Sequence, residues 1–239
     1  HVHFLPPRML RRVWAYFEQV GPLTGVEWPI TYKWPDEDRV AHLKAMGVRH
    51  FTALAYAHKP DMAADLNDWT LDFATRTEGC IPTATFFPEP TVLSYVDKAL
   101  DSGAKVFKVH IQVGDYDPRE PVLDPVWGRL AEAQVPAVVH CGSGPAPGTY
   151  TGPGRFADVL KKHPRLRAVI AHLGAPEYRE FLELAETYEN VALDTTMAFT
   201  SFELNGVPFP TDLLPRLRDL GLAGKVALGT DFPNIPYPY

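Results

Sequence analysis

Seven short runs of consecutive apolar residues, rich in β-branched side chains, constrain this chain more than any other feature. They cover residues 48–57, 81–87, 106–113, 135–141, 166–173, 191–195 and 225–230. Unbroken apolar runs of this length suit strands buried on both faces, the condition of a parallel sheet covered by helices. Helical patterns lie between them. Asp61 reads as an N-cap before a face of Met62, Leu66, Trp69 and Phe73. Pro176 suits a first helical turn ahead of Phe181, Leu182, Ala185 and Tyr188, and similar patterns follow Pro90, Leu123, Gly154 and Pro210. Counting an eighth strand that ends at His3, the strand ends down to Asp231 recur every 33 residues or so, roughly the (β/α)8 unit. The expectation is therefore an α/β chain forming a distorted (β/α)8 TIM barrel as one domain over residues 1–239. Its first strand lies mostly before His1 and its last helix beyond Tyr239, so both ends read as trimmed. An open doubly wound sheet is the alternative, but no Gly-x-Gly-x-x-Gly follows a first strand.

Composition narrows the function classes. With 23 Lys and Arg against 29 Asp and Glu, the net charge of −6 argues against a partner bound through phosphates, whether nucleic acid or anionic membrane. No run has the length of a membrane-spanning helix. Two cysteines, Cys80 and Cys141, are too few for a disulfide framework and point to a reducing, cytoplasmic setting. The expected partner is a small-molecule substrate, and the expected assembly a homodimer.

Two loops fall where barrel active sites are built. Residues 4–35 carry Trp14, Tyr16, Phe17, Trp28, Tyr32 and Trp34, and residues 142–154 read GSGPAPGTYTGPG. The aromatic residues either anchor a long loop or form a substrate lid.

Five of the nine histidines sit at or just past strand ends. His1 and His3, two apart on a strand, point to the same side and converge as a metal site requires. His140, His172 and Asp231 end three further strands and project towards one axis. Imidazoles with one carboxylate suit Zn²⁺ and related divalent ions, with a position left for water. For one such histidine alone a hydrogen-bonded core role is the plainer reading; for four or five positions at barrel spacing it is not. Lys108 and His110 share the inner face of the fourth strand, where a buried charge is costly unless paired or functional. Lys108 either binds an anionic group, carries a carbamate between two metals or pairs with a carboxylate. His58, just past the second strand, either touches substrate or is a solvated loop histidine. Asp194 faces the pocket or caps a helix. Arg8, Arg11 and Arg12 either attract an anionic substrate or, the plainer reading, form a solvated helix face, and Ser143 lacks the Gly-x-Ser-x-Gly elbow.

HVHFLP, AVVHCG, VIAHLG and LGTDFP, in that order from His1 to Pro233, together resemble the amidohydrolase superfamily. More narrowly they are similar to its amidohydrolase-2 branch, which includes aminocarboxymuconate semialdehyde decarboxylase. The resemblance implies a distorted (β/α)8 barrel with a divalent metal at its C-terminal mouth. It implies His1, His3, His140 and Asp231 as the ligands of one ion, expected to be Zn²⁺. It implies His172 as a catalytic group beside the metal that contacts substrate. In binuclear members a carboxylated lysine from strand 4 bridges two ions; Lys108 lies on that strand, and one ion is expected here.

The expected mechanism uses water acidified by the ion, with Asp231 as the general base. His172 stabilises the developing oxyanion, and Lys108, His110 and His58 contact the substrate, Lys108 or His58 holding a carboxylate. This set hydrolyses an amide, ester or lactone. The same ligands also serve a non-oxidative decarboxylase, which is the alternative. A barrel that binds a small molecule without turnover is the alternative of another class. The preference for hydrolysis rests on the breadth of the superfamily.

Overall fold

The computed structural model describes residues 1–19, 21, 27–200 and 207–238. Its strands are β1 (Phe51–Thr52), β2 (Cys80–Ile81), β3 (Thr83–Thr85), β4 (Val106–His110), β5 (Ala137–His140), β6 (Ala168–Ile170), β7 (Val191–Asp194) and β8 (Val226–Ala227). β3 to β8 form one parallel sheet in sequence order, and β1 pairs with β2 in parallel. A parallel bridge between Val2 and Phe232 joins the two ends of the chain. The Leu54 amide donates to the Val2 carbonyl (2.9 Å), and the Thr83 hydroxyl donates to the Ala53 carbonyl (2.8 Å). These contacts close the ring into a distorted (β/α)8 barrel, with the Val2 segment as its first strand. All the barrel strands are shorter than their apolar runs.

Alternation along the strands sorts their side chains into two compartments. Phe107, Val109, Ala137, Val139, Ala168, Ile170, Val191 and Leu193 point outward into the main core beneath the helices. Val106, Val138 and Val169 point inward and, with Leu54 and Ala171, make a small apolar plug inside the barrel. Lys108 is in register with Val138, and His110 with His140, so the two histidines stand one layer above the lysine.

The helices are α1 (Pro7–Glu18), α2 (Asp36–Ala45), α3 (Ala63–Arg76), α4 (Val92–Asp101), α5 (Ile111–Gly114), α6 (Asp124–Ala133), α7 (Pro153–Lys162), α8 (Tyr178–Thr187) and α9 (Leu214–Leu222). Trp127 on α6 anchors the outer layer. It packs edge-on against Phe86 (5.0 Å) and Phe156 (5.9 Å) and donates its indole N–H to the Pro118 carbonyl (2.8 Å). Among the described residues no helix is long and apolar enough to cross a membrane.

Three local expectations need correction. The segment 4–35 contains a helix, α1, started by Pro7 in its first turn and seated on the core through Leu10, Val13, Trp14 and Phe17. Residues 20 and 22–26 of the same segment lie outside the described residues. Asp61 is not a cap: α3 begins after Met62, and Asp61 has φ +59° with its amide donating to the Glu89 carboxylate (2.8 Å). Pro176 precedes α8, which begins at Tyr178.

Candidate metal centre

His1 and His3 stand on the first strand, Lys108 and His110 on β4, His140 on β5 and Asp194 on β7, all inside the barrel mouth. His172 follows β6, and Asp231 follows β8. Ligand atoms of His1, His172 and Asp231 lie within 4.8 Å of one another. His3 Nε2 is 3.0 Å from Asp231 Oδ1, and His1 Nε2 is 3.4 Å from the same oxygen. The histidine rings form a continuous arc. His3 lies 5.1 Å from His1, His1 5.3 Å from His172, His172 4.7 Å from His140, and His140 stacks on His110 at 3.8 Å.

The far nitrogen of each imidazole is tied to the scaffold. His1 Nδ1 donates to Asp194 Oδ2 (2.8 Å), His3 Nδ1 to the Leu54 carbonyl (2.7 Å), and His172 Nδ1 to the Thr196 carbonyl (3.2 Å). Those bonds place the Nε2 lone pairs on the side of Asp231, since a neutral imidazole carries a single proton. Two acceptors, His3 Nε2 and Asp231 Oδ1, then face each other at 3.0 Å. Such a contact is stable only with a proton or a cation between them. The donor chemistry fits a divalent ion, and the anchored rear nitrogens are the usual means of orienting metal-binding imidazoles.

Asp194 has a second task. Its Oδ1 accepts the backbone N–H groups of His172 (3.0 Å) and Thr196 (3.1 Å). One carboxylate thus orients His1 and fixes the turn that carries His172. That turn is strained: His172 and Leu173 have φ of +57° and +53°, followed by Gly174 at +77°. Asp231 is also left-handed, at +61°. Non-glycine residues there cost on the order of 1–3 kcal/mol each and cluster where function demands the geometry.

Burial governs the charges. It lowers the Lys108 ammonium to about 8, against the opposing pull of Asp194 and Asp231. It also holds His110 and His140 well below the ordinary histidine range, helped by His140 and Lys108 in the first case and by His172 and Lys108 in the second. His172 is lowered by burial too, with Asp231 and Asp194 opposing. Burial acts to raise Asp231, but the adjoining imidazoles and the Lys108 ammonium outweigh it and keep the carboxyl well below its usual range. The site is therefore an anion held among imidazoles and one lysine.

The sequence-derived residues are brought together to different degrees. His1, His3, His172 and Asp231 converge directly. His140 lies in the arc but outside the three-residue donor cluster. Its Nε2 donates to the Gly144 carbonyl (2.8 Å), which leaves Nδ1 as its lone-pair nitrogen. Lys108 Nζ is 3.3 Å from His1 Nε2 and so reaches the ligand face. His58 is exposed beyond the rim. Tyr56 was missed: its ring lies 4.9 Å from His110 and 6.2 Å from His3, and burial, with Asp231 adding, pushes its hydroxyl above the usual range. Its spacing of two from the inward Leu54 was the available signal.

The family described as Amidohydrolase matches residues 1–239. Among solved structures, an uncharacterised TIM-barrel protein from Bordetella bronchiseptica aligns with a TM-score of 0.73 at 17% identity, covering 96% of this chain and 80% of the other. A 5-carboxyvanillate decarboxylase from Novosphingobium aromaticivorans, solved with bound manganese, aligns at 0.62 and 14% identity over 96% and 83%. A dihydroorotase from Campylobacter jejuni aligns at 0.51 and 16% identity over 83% and 65%. No curated protein matches the chain.

Proposed function

Because this chain belongs to the amidohydrolase family, we propose that it is a hydrolase dependent on one divalent ion, Zn²⁺, and that it cleaves an amide, ester or lactone bond in a small carboxylated substrate. The observation that carries this reading is the convergence of His1, His172 and Asp231 within 4.8 Å, each imidazole anchored from behind. His1 and His3 through Nε2, His140 through Nδ1, and Asp231 through its carboxylate would hold the ion. When bound, the ion supplies a Lewis acid that acidifies water and polarises a carbonyl.

The chain's own groups do the rest. Asp231 accepts the proton of the attacking water and passes it to the leaving group. His172, turned inward by its strained loop with Nδ1–H bonded to the Thr196 carbonyl, would stabilise the oxygen that gains negative charge only after Nε2 has taken up a proton. Lys108 holds a substrate carboxylate. His58, at the rim, contacts the part of the substrate that extends outward. The plug of Leu54, Val138 and Ala171 closes the floor against water.

Likeness to 5-carboxyvanillate decarboxylase structures supports a second reading. In it the same residues return a proton to carbon as CO₂ leaves. The test is metal content by elemental mass spectrometry, followed by parallel screens for hydrolysis and decarboxylation. One equivalent or so of Zn²⁺ is expected in the purified protein. Asp231→Ala is expected to fold but to lose metal and turnover; full activity in a folded Asp231→Ala protein ends this reading.

A further inference from the structure

His110 is buried in the barrel mouth, between the parallel ring of His140 and the tilted ring of Tyr56. Its Nδ1 accepts the backbone N–H of Val113 (3.3 Å), three residues ahead on the turn that follows β4. A backbone amide can only donate, so Nδ1 must present a lone pair and the ring proton must sit on Nε2. Among the described residues nothing accepts from Nε2, and it is not one of the fully buried orphan atoms. His140, which faces it, is committed elsewhere, with its own Nε2 donating to Gly144.

From this geometry we propose that His110 is an uncharged hydrogen-bond donor to a substrate oxygen, its Nε2–H fixed in place by the Val113 amide and by stacking on His140. The proposal rests on the metal-site reading above and deepens it. It assigns the substrate an acceptor oxygen, carbonyl or carboxylate, beside the ion. A neutral donor of this kind stabilises developing negative charge on oxygen as a fixed, preorganised dipole. It also separates two tasks that residue type alone leaves mixed: Lys108 supplies charge, whereas His110 supplies direction.

The test has two parts. First, long-range ¹H–¹⁵N correlation of ¹⁵N-histidine-labelled protein, metal-free and Zn²⁺-loaded, reads the tautomer, with His110 assigned by its loss in His110→Phe. A protonated Nε2 and a bare Nδ1 at neutral pH are expected; a protonated Nδ1 or an imidazolium overturns the proposal. Second, acetate is titrated into the Zn²⁺-loaded protein as a minimal oxygen ligand. His110→Phe keeps the ring stack and removes the donor, and is expected to weaken acetate roughly tenfold, as for a single lost hydrogen bond. His110→Gln, with an amide N–H near the Nε2 position, should recover most of that loss, and both variants should keep Zn²⁺ affinity within about threefold, since neither removes a proposed ligand. Unchanged acetate affinity in His110→Phe, or loss of Zn²⁺, refutes the donor role. Should the wild-type chain take up no Zn²⁺, the metal reading fails separately, and the tautomer in the metal-free protein still decides this one.

Discussion

Lys108 is the residue at which stability and function are most clearly opposed. Its side chain is 1% exposed, and burial lowers its ammonium from 10.5 to about 8 even after the attraction of Asp194 and Asp231. A depression of that size corresponds to about 3 kcal/mol, at 1.36 kcal/mol per pH unit, charged against the folded state wherever both states are protonated. Lys108→Met keeps the length and apolar stem and removes the charge. The metal-free variant is therefore expected to be more stable than wild type by up to about 3 kcal/mol at pH 7, a rise in Tm of roughly 6–12 °C for a domain of this size. The pH dependence supplies the control. Between pH 8 and 10.5 the unfolded wild-type chain still binds the lysine proton that the folded chain has released, so wild type gains stability as pH rises and the advantage of methionine shrinks. Urea titrations of both proteins in chelator at pH 7, 9 and 10 measure this directly. An advantage absent at pH 7, or constant up to pH 10, refutes the assignment of the cost to a buried ammonium. Turnover should fall in the same variant, as expected where a destabilising residue is kept for function.

Three other outcomes follow from the same geometry. Asp194→Asn removes the carboxylate behind His1, and Zn²⁺ affinity measured by competition with a chelator should drop about 10- to 100-fold. Acidification from pH 7 to 5 should destabilise the metal-free protein: His110, His140 and His172 are depressed, so the unfolded chain takes up protons that the folded chain refuses. Each then costs up to about 1.4 kcal/mol per pH unit below about 6.5, readable by urea denaturation. Gly174→Ala puts a Cβ 2.0 Å from Phe181 at a φ of +77°, and should cost about 2–4 kcal/mol in thermal unfolding and displace His172.

The strands were legible because both of their faces are buried, so apolar residues run without interruption. Their ends were not. β4 stops at His110 and β6 at Ile170, although the apolar runs continue. After β4 the chain passes straight into α5, and after β6 it leaves the ladder to turn His172 into the mouth; the sign of φ there has no signature in residue type. α1 was legible only in part: Arg8, Arg11 and Arg12 read as a solvated helix face, while the aromatic residues of the same segment also suit a loop. The residue types that converge in the mouth could be read, because few kinds of side chain bind metal. Their anchors could not, since the carbonyls of Leu54, Thr196 and Gly144 can belong to any residue.

His172 shows how the fold escapes the limits of its own alternation. Along β6, Val169 and Ala171 point into the barrel and Ile170 points out to the helices. Continued as a strand, the chain would send His172 outward, away from Asp231. His110 and His140 need no such device, because they stand two residues beyond the inward Lys108 and Val138. The left-handed turn at His172 and Leu173 reverses the direction, and each part of it has a visible support: Asp194 takes the His172 amide, Thr196 takes the ring N–H, and Gly174 lets the backbone approach Phe181. The strain at His172 is thus the cost of placing an even-numbered side chain on an odd-numbered face. The same carboxylate that sustains it also orients His1. A change at Asp194 should therefore disturb both histidines together, whereas a change at Gly174 should disturb His172 alone.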